Sequence, residues 1–453
     1  MAKSQPSLTE NINSYLKGHV YPDKKNINCT QERLIGRAVV PILRLVGEKD
    51  DRFQTDIPKT ADCRFGVTAS AEHRFDILIP LKNLLTRKRQ DVSAETKCFT
   101  FVDSCKSGNP YVCPQPGFGF LTTDTAVTFL QDLSGRDWRE GEAQGSLLMP
   151  GKILRRFHRL VEEAVDTLEQ ECFWEREPTV YQVTVKMEGP AVTLTVLMRG
   201  NTYTVSLLPA VNLSTWPVEM LGQWPQSSWM SLDRIESVKP HFYLFAIRPR
   251  GTEDARKLWC SCFPVNRPRG TEDARKLWCS CFPVNRPRGT EDARKLWCSC
   301  FYPVEMLLAF GSDDGSGYRT CRRHALDAIL ALQEENCEDF HPVSARIIRT
   351  VFLHQCVQYP HDEDWEPDRL GRAFVDLFLA LIQSLMKGAC PHFFLPQTNL
   401  LAGYEKRELR TVADHLKAIL NDIVLRPDKT YFLGDVRGRR KFSRLKPTCG
   451  PKF

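Results

Sequence analysis

The chain is 453 residues long, 42% hydrophobic and 26% charged, with a formal net charge of +7 and 17 cysteines. No apolar run reaches the ~18–20 residues that span a bilayer, and the N-terminus MAKSQPSLTENINSYL lacks the apolar stretch of a secretion signal. Membrane-spanning and exported classes are therefore excluded as expectations, and a cytoplasmic and/or nuclear protein with reduced, mostly buried cysteines is expected. At roughly 100–200 residues per domain, two domains are the working number.

In chain order, Gln31 to Leu45 has apolar residues at helical spacing, with Pro41 as a kink or break. Phe75, Ile77 and Ile79 alternate with Asp76 and Leu78 before Pro80, as in a strand. GFGF at 117–120 lacks the context of a phosphate loop and reads as a turn. From Pro150, the residues Ile153, Leu154, Phe157, Leu160, Val161, Ala164, Val165 and Leu168 form the stripe of an amphipathic helix. VYQVTVKM, AVTLTVLM and TYTVSLLPAV follow as an antiparallel meander, with Gly189-Pro190 and Gly200-Asn201 as turns. These elements predict an α+β domain over about the first 240 residues. After residue 318 the pattern becomes helical: Arg323 to Leu332, Ser344 to Val357 with Ser344 as N-cap, Leu370 to Lys387 ended by Gly388, and Tyr404 to Val424.

Between the halves, RPRGTEDARKLWCSCFPVN runs from Arg248 to Asn266, recurs unchanged from Arg267 to Asn285, and returns as RPRGTEDARKLWCSCF from Arg286 to Phe301. Solenoid repeats diverge as each copy adapts to its neighbours, so this identity points to recent duplication or an assembly artefact. The third copy, which runs directly into the helical half, is expected to pack in the fold, with the other two looped out. Cys260/Cys262, Cys279/Cys281 and Cys298/Cys300 form CxC pairs, which lack the CxxC knuckle spacing of zinc sites. His354, Cys356, His361, Cys390 and His392 carry suitable zinc donors in no familiar four-ligand spacing. The positive charge is concentrated in residues 426–453, where nine Lys/Arg oppose Asp428 and Asp435. Arg437, Arg439, Arg440 and Lys441 there are the candidate nucleic-acid contacts, against a plain solvated tail.

HRFDILIPL (73–81), LLMPGKILRRFHRLVEEAV (147–165), YTVSLLPAVNLSTWP (203–217), KLWCSCFYPVEMLL (295–308), VFLHQCVQYPHDEDWEPDRLGRAFVDLF (351–378) and CPHFFLPQTNLL (390–401) stand in a characteristic order. As an ordered set they resemble the Mab-21-like (male-abnormal-21) family, related in fold to cyclic GMP-AMP synthase, and within it the third Mab-21-like type. The resemblance implies an α+β fold: a nucleotidyltransferase-like mixed sheet with a long N-terminal helix, then an all-helical, helix-hairpin-helix-like C-terminal domain. The boundaries expected are 1–245 for the first domain, 246–303 for the repeats, 304–430 for the helical domain and 431–453 for a basic tail.

In active relatives a Glu-x-Asp pair on one strand and an Asp on a neighbouring strand hold two Mg²⁺ ions, which stabilise the attacking and leaving oxygens of phosphoryl transfer. Here the matching positions are Arg74 and Asp76, reading RFD, and the third falls on Ser206. Of the three carboxylates only that of Asp76 remains, a candidate metal ligand against a plain hydrogen-bonded polar residue. An Arg74 guanidinium about 4 Å from a divalent ion opposes it by about 8 kcal/mol at an effective dielectric near 20. DIPKTADCRFG (56–66) holds no Gly-Ser pair of the kind that grips phosphates in active relatives, and rescue by Asp62, Glu72 or Glu188 rests on no spacing. The expectation is a pseudo-nucleotidyltransferase, a binding, scaffold or regulatory protein with unknown protein partners, in a family that includes developmental regulators. No cofactor is expected. The alternatives are a ligand-activated nucleotidyltransferase using Mg²⁺ or Mn²⁺ to make a cyclic dinucleotide, and a non-catalytic nucleic-acid-binding protein.

Overall fold

The computed structural model describes residues 7–21, 32–53, 74–81, 99–103, 118–123, 139–140, 147–176, 179–188, 191–212, 227–238, 243–246, 297–310 and 320–425. Helix α1 (Leu8–Tyr15) opens with a capping box: Ser7 Oγ accepts the Glu10 N–H at 3.3 Å, and the Glu10 carboxylate accepts the Ser7 N–H at 2.7 Å. Ile12, Tyr15 and Leu16 are buried on one face, and Leu8 packs beside them. The sequence reading missed this helix, although its S-x-x-E signature was there to be read. The predicted kink at Pro41 is not a break. A π-type turn (Ile35–Val39) leads directly into α2 (Val40–Lys49), so the chain stays helical through Pro41 and the irregularity is the widened turn just before it.

The mixed sheet comprises β1 (Arg74–Pro80), β2 (Phe99–Asp103), β3 (Phe118–Thr123), β4 (Arg139–Glu140), β5 (Leu147–Leu148), β6 (Val180–Glu188), β7 (Ala191–Met198), β8 (Asn201–Asn212), β9 (Tyr243–Ala246) and β10 (Trp297–Cys300). Its order is β4-β5-β3-β10-β9-β8-β7-β6, with β1 joined to β8 and β2 to β3. The predicted meander is β6-β7-β8, antiparallel throughout. Its second turn lies one residue earlier than expected. Met198 pairs with Asn201, and Arg199 and Gly200 both have positive φ, 52° and 78°, as a two-residue type I′ hairpin loop requires. Nor is GFGF a turn: Phe118 and Gly119 pair with Cys298 and Trp297, because the run into Leu121 and two threonines is strand-forming.

Helix α3 (Pro150–Gln170) packs its predicted apolar stripe across β6 and β7, over Val183, Val192, Leu194 and Val196, and is followed by the short α4 (Phe173–Arg176). At its start, Arg156 Nε bonds Asp50 at 3.3 Å, while Arg52 grips the same carboxylate with two bonds of 2.8 Å, tying the end of α2 to α3. After β8 comes α5 (Leu232–Val238). Strand β10 belongs to the third repeat copy, while the first two copies lie outside the described residues.

The helical half contains α6 (Tyr302–Phe310), α7 (Arg322–Glu335), α8 (Cys337–Phe340), α9 (Ala345–Gln358), α10 (Leu370–Lys387) and α11 (Lys406–Leu425). Ser344 occupies the N-cap position of α9, but its side chain makes no capping bond. Gly388 ends α10 as predicted, at φ 65°, donating its N–H to Leu385 O. Phe374, Leu377, Phe378, Leu381 and Leu385 form the buried face of α10, each contributing about 1.5–3 kcal/mol by leaving water. Against α10 also lies α1, from the other end of the chain: Thr9 Oγ1 accepts the Gly371 N–H at 2.9 Å and donates to Asp368 O at 3.1 Å.

Candidate functional site

Strand β1 pairs with β8 in parallel, with Arg74 opposite Thr204 and Asp76 opposite Ser206. The three positions singled out in the sequence therefore meet on adjacent strands. Because residues i and i+2 of a strand share a face, positions 74 and 76 fall on the same sheet face as 204 and 206. Phe75 and Ile79 on β1, and Val205 and Leu207 on β8, belong to the opposite, buried face. The buried side thus fixes the register, since a slip of one residue would exchange the faces.

The register extends this face across four strands. One row runs Thr184, Thr195, Thr204, Arg74, and the next runs Lys186, Thr193, Ser206, Asp76. Thr193 is buried, Thr195, Thr204 and Ser206 are half-buried, and Thr184 and Lys186 are exposed. Across these eight positions stand five hydroxyls, two cations and one carboxylate. Hydroxyls hold divalent ions poorly unless carboxylates supply the charge. Glu188 pairs with Ala191, one row further along, while Asp62 and Glu72 lie outside the described residues.

The zinc donors of the helical half do not converge. His354 Nε2 lies 2.9 Å from Pro391 O, and burial pushes this imidazole below its ordinary value. His392 Nδ1 accepts the Phe394 N–H at 3.0 Å. Burial pushes the Cys390 thiol up to about 12, so it resists becoming the thiolate a metal needs. Among the described residues no group of three or more His, Cys, Asp or Glu is placed to hold a metal ion. Also among them, no helix is long and apolar enough to cross a membrane. Arg437, Arg439, Arg440 and Lys441 lie outside the described residues.

Residues 66–308 match the Mab-21 protein nucleotidyltransferase domain, and residues 321–418 match the Mab-21 protein HhH/H2TH-like domain. The chain belongs to the Mab-21 family. Among its relatives are the mab-21-like proteins of Drosophila pseudoobscura pseudoobscura and Drosophila melanogaster, 27% and 26% identical over 105 residues, a stretch covering 23% of this chain. That stretch spans 28% of each relative's length. In Mab-21 terms, β1 and β8 lie in the nucleotidyltransferase domain, and α7 through most of α11 form the HhH-like one.

The sequence reading passed over a buried polar cluster joining the two matched regions. Glu305, on α6 of the first, is fully buried, with its carboxylate 3.9 Å from Arg346 Nε, 4.0 Å from Arg349 Nε and 3.7 Å from His392 Nε2, all of the second. Arg346 and Arg349 sit among Ile347, Ile348 and Val351 on the buried part of α9. Charged residues within an apolar stripe were the signal that could have found them.

Proposed function

We propose that this Mab-21 family protein is a binding or scaffold module whose nucleotidyltransferase fold does not carry out metal-dependent transfer. The observation that carries the reading is the β1–β8 register, which sets Asp76 opposite Ser206 and Arg74 opposite Thr204. Two-metal transfer needs clustered carboxylates to hold two cations about 3.5–4 Å apart. One carboxylate between a serine and an arginine position supplies neither the charge nor the ligand count. What the fold retains is a broad, partly exposed hydroxyl-bearing face joined to a helical domain, an architecture suited to binding.

Isothermal titration with ATP and GTP, with and without Mg²⁺ or Mn²⁺, tests this. No binding, or binding indifferent to the metal, is expected. Metal-dependent binding followed by release of pyrophosphate would establish the enzyme reading instead.

The HhH/H2TH-like match supports a second reading, non-catalytic nucleic-acid binding, in which Arg437, Arg439, Arg440 and Lys441 add phosphate contacts. On this reading, deleting residues 437–453 lowers DNA or RNA affinity and flattens its salt dependence; unchanged affinity counts against it.

A further inference from the structure

We propose that Tyr431, Phe432 and Leu433, at the start of the basic tail, dock on the outer face of α10 and so hold the tail against the helical domain of its own chain. Among the described residues seven large apolar side chains are exposed, and four of them, Leu379, Met386, Val424 and Leu425, stand on the packed pair α10–α11. Leu379 and Met386 are 39% and 57% exposed. With the half-buried Val375 they fall within roughly 40° of arc, so they form one strip along the helix. Apolar residues exposed singly need no partner, whereas a strip on one helix face is the form that docking surfaces take.

The occupant follows from where the chain goes next. Leu409, near the start of α11, lies 3.8 Å from the position a Cβ on Gly388 would take at the end of α10. The two packed helices therefore run in opposite directions, and α11 finishes toward the start of α10. The chain leaves α11 at Leu425, 77% exposed, and its continuation 426–453 lies outside the described residues. Arg426 to Thr430 separate Leu425 from Tyr431-Phe432-Leu433, the longest apolar run in that continuation. Those intervening residues reach about 17 Å when extended, more than the ~8–10 Å between packed helix axes, so the run can cross to the outer face of α10.

Charge complementarity selects the same occupant. Residues 362–368, DEDWEPD, carry five carboxylates and no cation, and their two short 3₁₀ turns stand immediately before α10. Asp362 is paired with Arg322 and Glu366 lies 3.5 Å from Arg369, while Glu363 and Asp368 are exposed. Beside the strip Arg372 and Asp376 pair at 3.6 Å and cancel, and Lys387 stands at the far end of the helix. The acidic end of α10 is thus the end toward which α11 delivers the tail, with its nine Lys/Arg against two Asp. With Leu433 on the strip, Arg437, Arg439, Arg440 and Lys441 follow closely enough in sequence to reach these carboxylates.

The test uses the full chain with p-benzoylphenylalanine in place of Phe432, irradiated at low salt, with the cross-linked site read by mass spectrometry from the monomer band. A cross-link within Arg372–Met386 is expected. Leu379→Asp and Met386→Asp, both at exposed positions, should lower its yield roughly fivefold or more with the helical dichroism unchanged. Salt at about 0.5 M should lower it as well, by screening the tail from the acidic turns. Trypsin should cut after Lys429 and Arg437 faster in both variants than in the wild type, and Phe432→Asp, which alters none of the described elements, should give the same acceleration. No cross-link, a cross-link to another surface, or equal yields in wild type and both variants would overturn the proposal. So would cross-linked dimers, which would make the strip a contact between two copies of the chain. These outcomes are independent of nucleic-acid affinity and of metal-dependent transfer.

Discussion

Glu305 Oε1 lies 3.7 Å from His392 Nε2, both fully buried, and this pair joins the nucleotidyltransferase domain to the HhH-like domain. Because His392 Nδ1 already accepts the Phe394 N–H, the ring is the tautomer that carries its proton on Nε2, directed at the carboxylate. Phe301 completes the contact, its ring 5.1 Å from both His392 and Phe394. Glu305→Ala would remove the buried carboxylate that lies within 4.0 Å of both Arg346 Nε and Arg349 Nε. We expect it to cost about 3–5 kcal/mol in urea unfolding, the range for breaking a buried ion pair from one side. A loss below about 1 kcal/mol would mean that the arginines are neutralised by other groups.

The α1–α10 contact depends on a missing side chain. A Cβ on Gly371 would stand 3.1 Å from Thr9 Oγ1, 3.2 Å from Thr9 N and 3.3 Å from Leu8 Cβ. Two of those neighbours are backbone or β-carbon and cannot swing aside, so Gly371→Ala should push α1 outward at a cost of about 1–3 kcal/mol. Hydrogen exchange should rise over Leu8–Tyr15 and stay unchanged in α11. Uniform protection would contradict the close approach.

Acid stability should depend on Asp50. Burial acts to raise its carboxyl, but the bonds and charge of Arg52, with Arg156, outweigh it and hold the group below 3.8. A carboxyl lowered by folding stabilises above its unfolded value, and that contribution is lost as pH falls through the folded one. Asp50→Asn should therefore be less stable at neutral pH and lose less stability below about pH 4. His354, lowered by burial with the Pro391 carbonyl partly opposing, adds a second term of known sign. Its neutral form is favoured in the fold, so its stabilisation is complete above about pH 6.5 and declines as pH falls toward the lowered folded value. His354→Gln should flatten that part of the pH–stability curve.

Rebuilding the missing carboxylates is a direct test of the β1–β8 register. Arg74→Glu with Ser206→Asp would place acidic residues at 74, 76 and 206, two on one strand and one opposite Asp76. We expect the double variant to bind Mn²⁺ by titration and the wild type not to. Equal Mn²⁺ binding by both proteins would show that the native site already recruits acids from elsewhere.

Removing residues 248–285 deletes two repeat copies and leaves Arg286–Phe301 to supply β10. The deletion should keep the far-ultraviolet dichroism and raise stability by about 1 kcal/mol, because loop-closure cost grows only with the logarithm of loop length. A collapse of the fold would show that the first two copies carry contacts it needs.

Period alone revealed the α3 stripe, the β6-β7-β8 meander, α10 and its Gly388 stop, because each is a local pattern that one core face selects. The family resemblance singled out Arg74, Asp76 and Ser206 as candidate positions, and strand alternation put Arg74 and Asp76 on one face. Their pairing, Asp76 opposite Ser206, was not legible, because register is set by contacts between strands more than a hundred residues apart in sequence. Nor could the sequence assign GFGF to the middle of a sheet or join Glu305 to His392. Periodicity reports which face of an element is buried. Which elements share that burial, and which charges must then find partners, is decided only when the two domains close on one another.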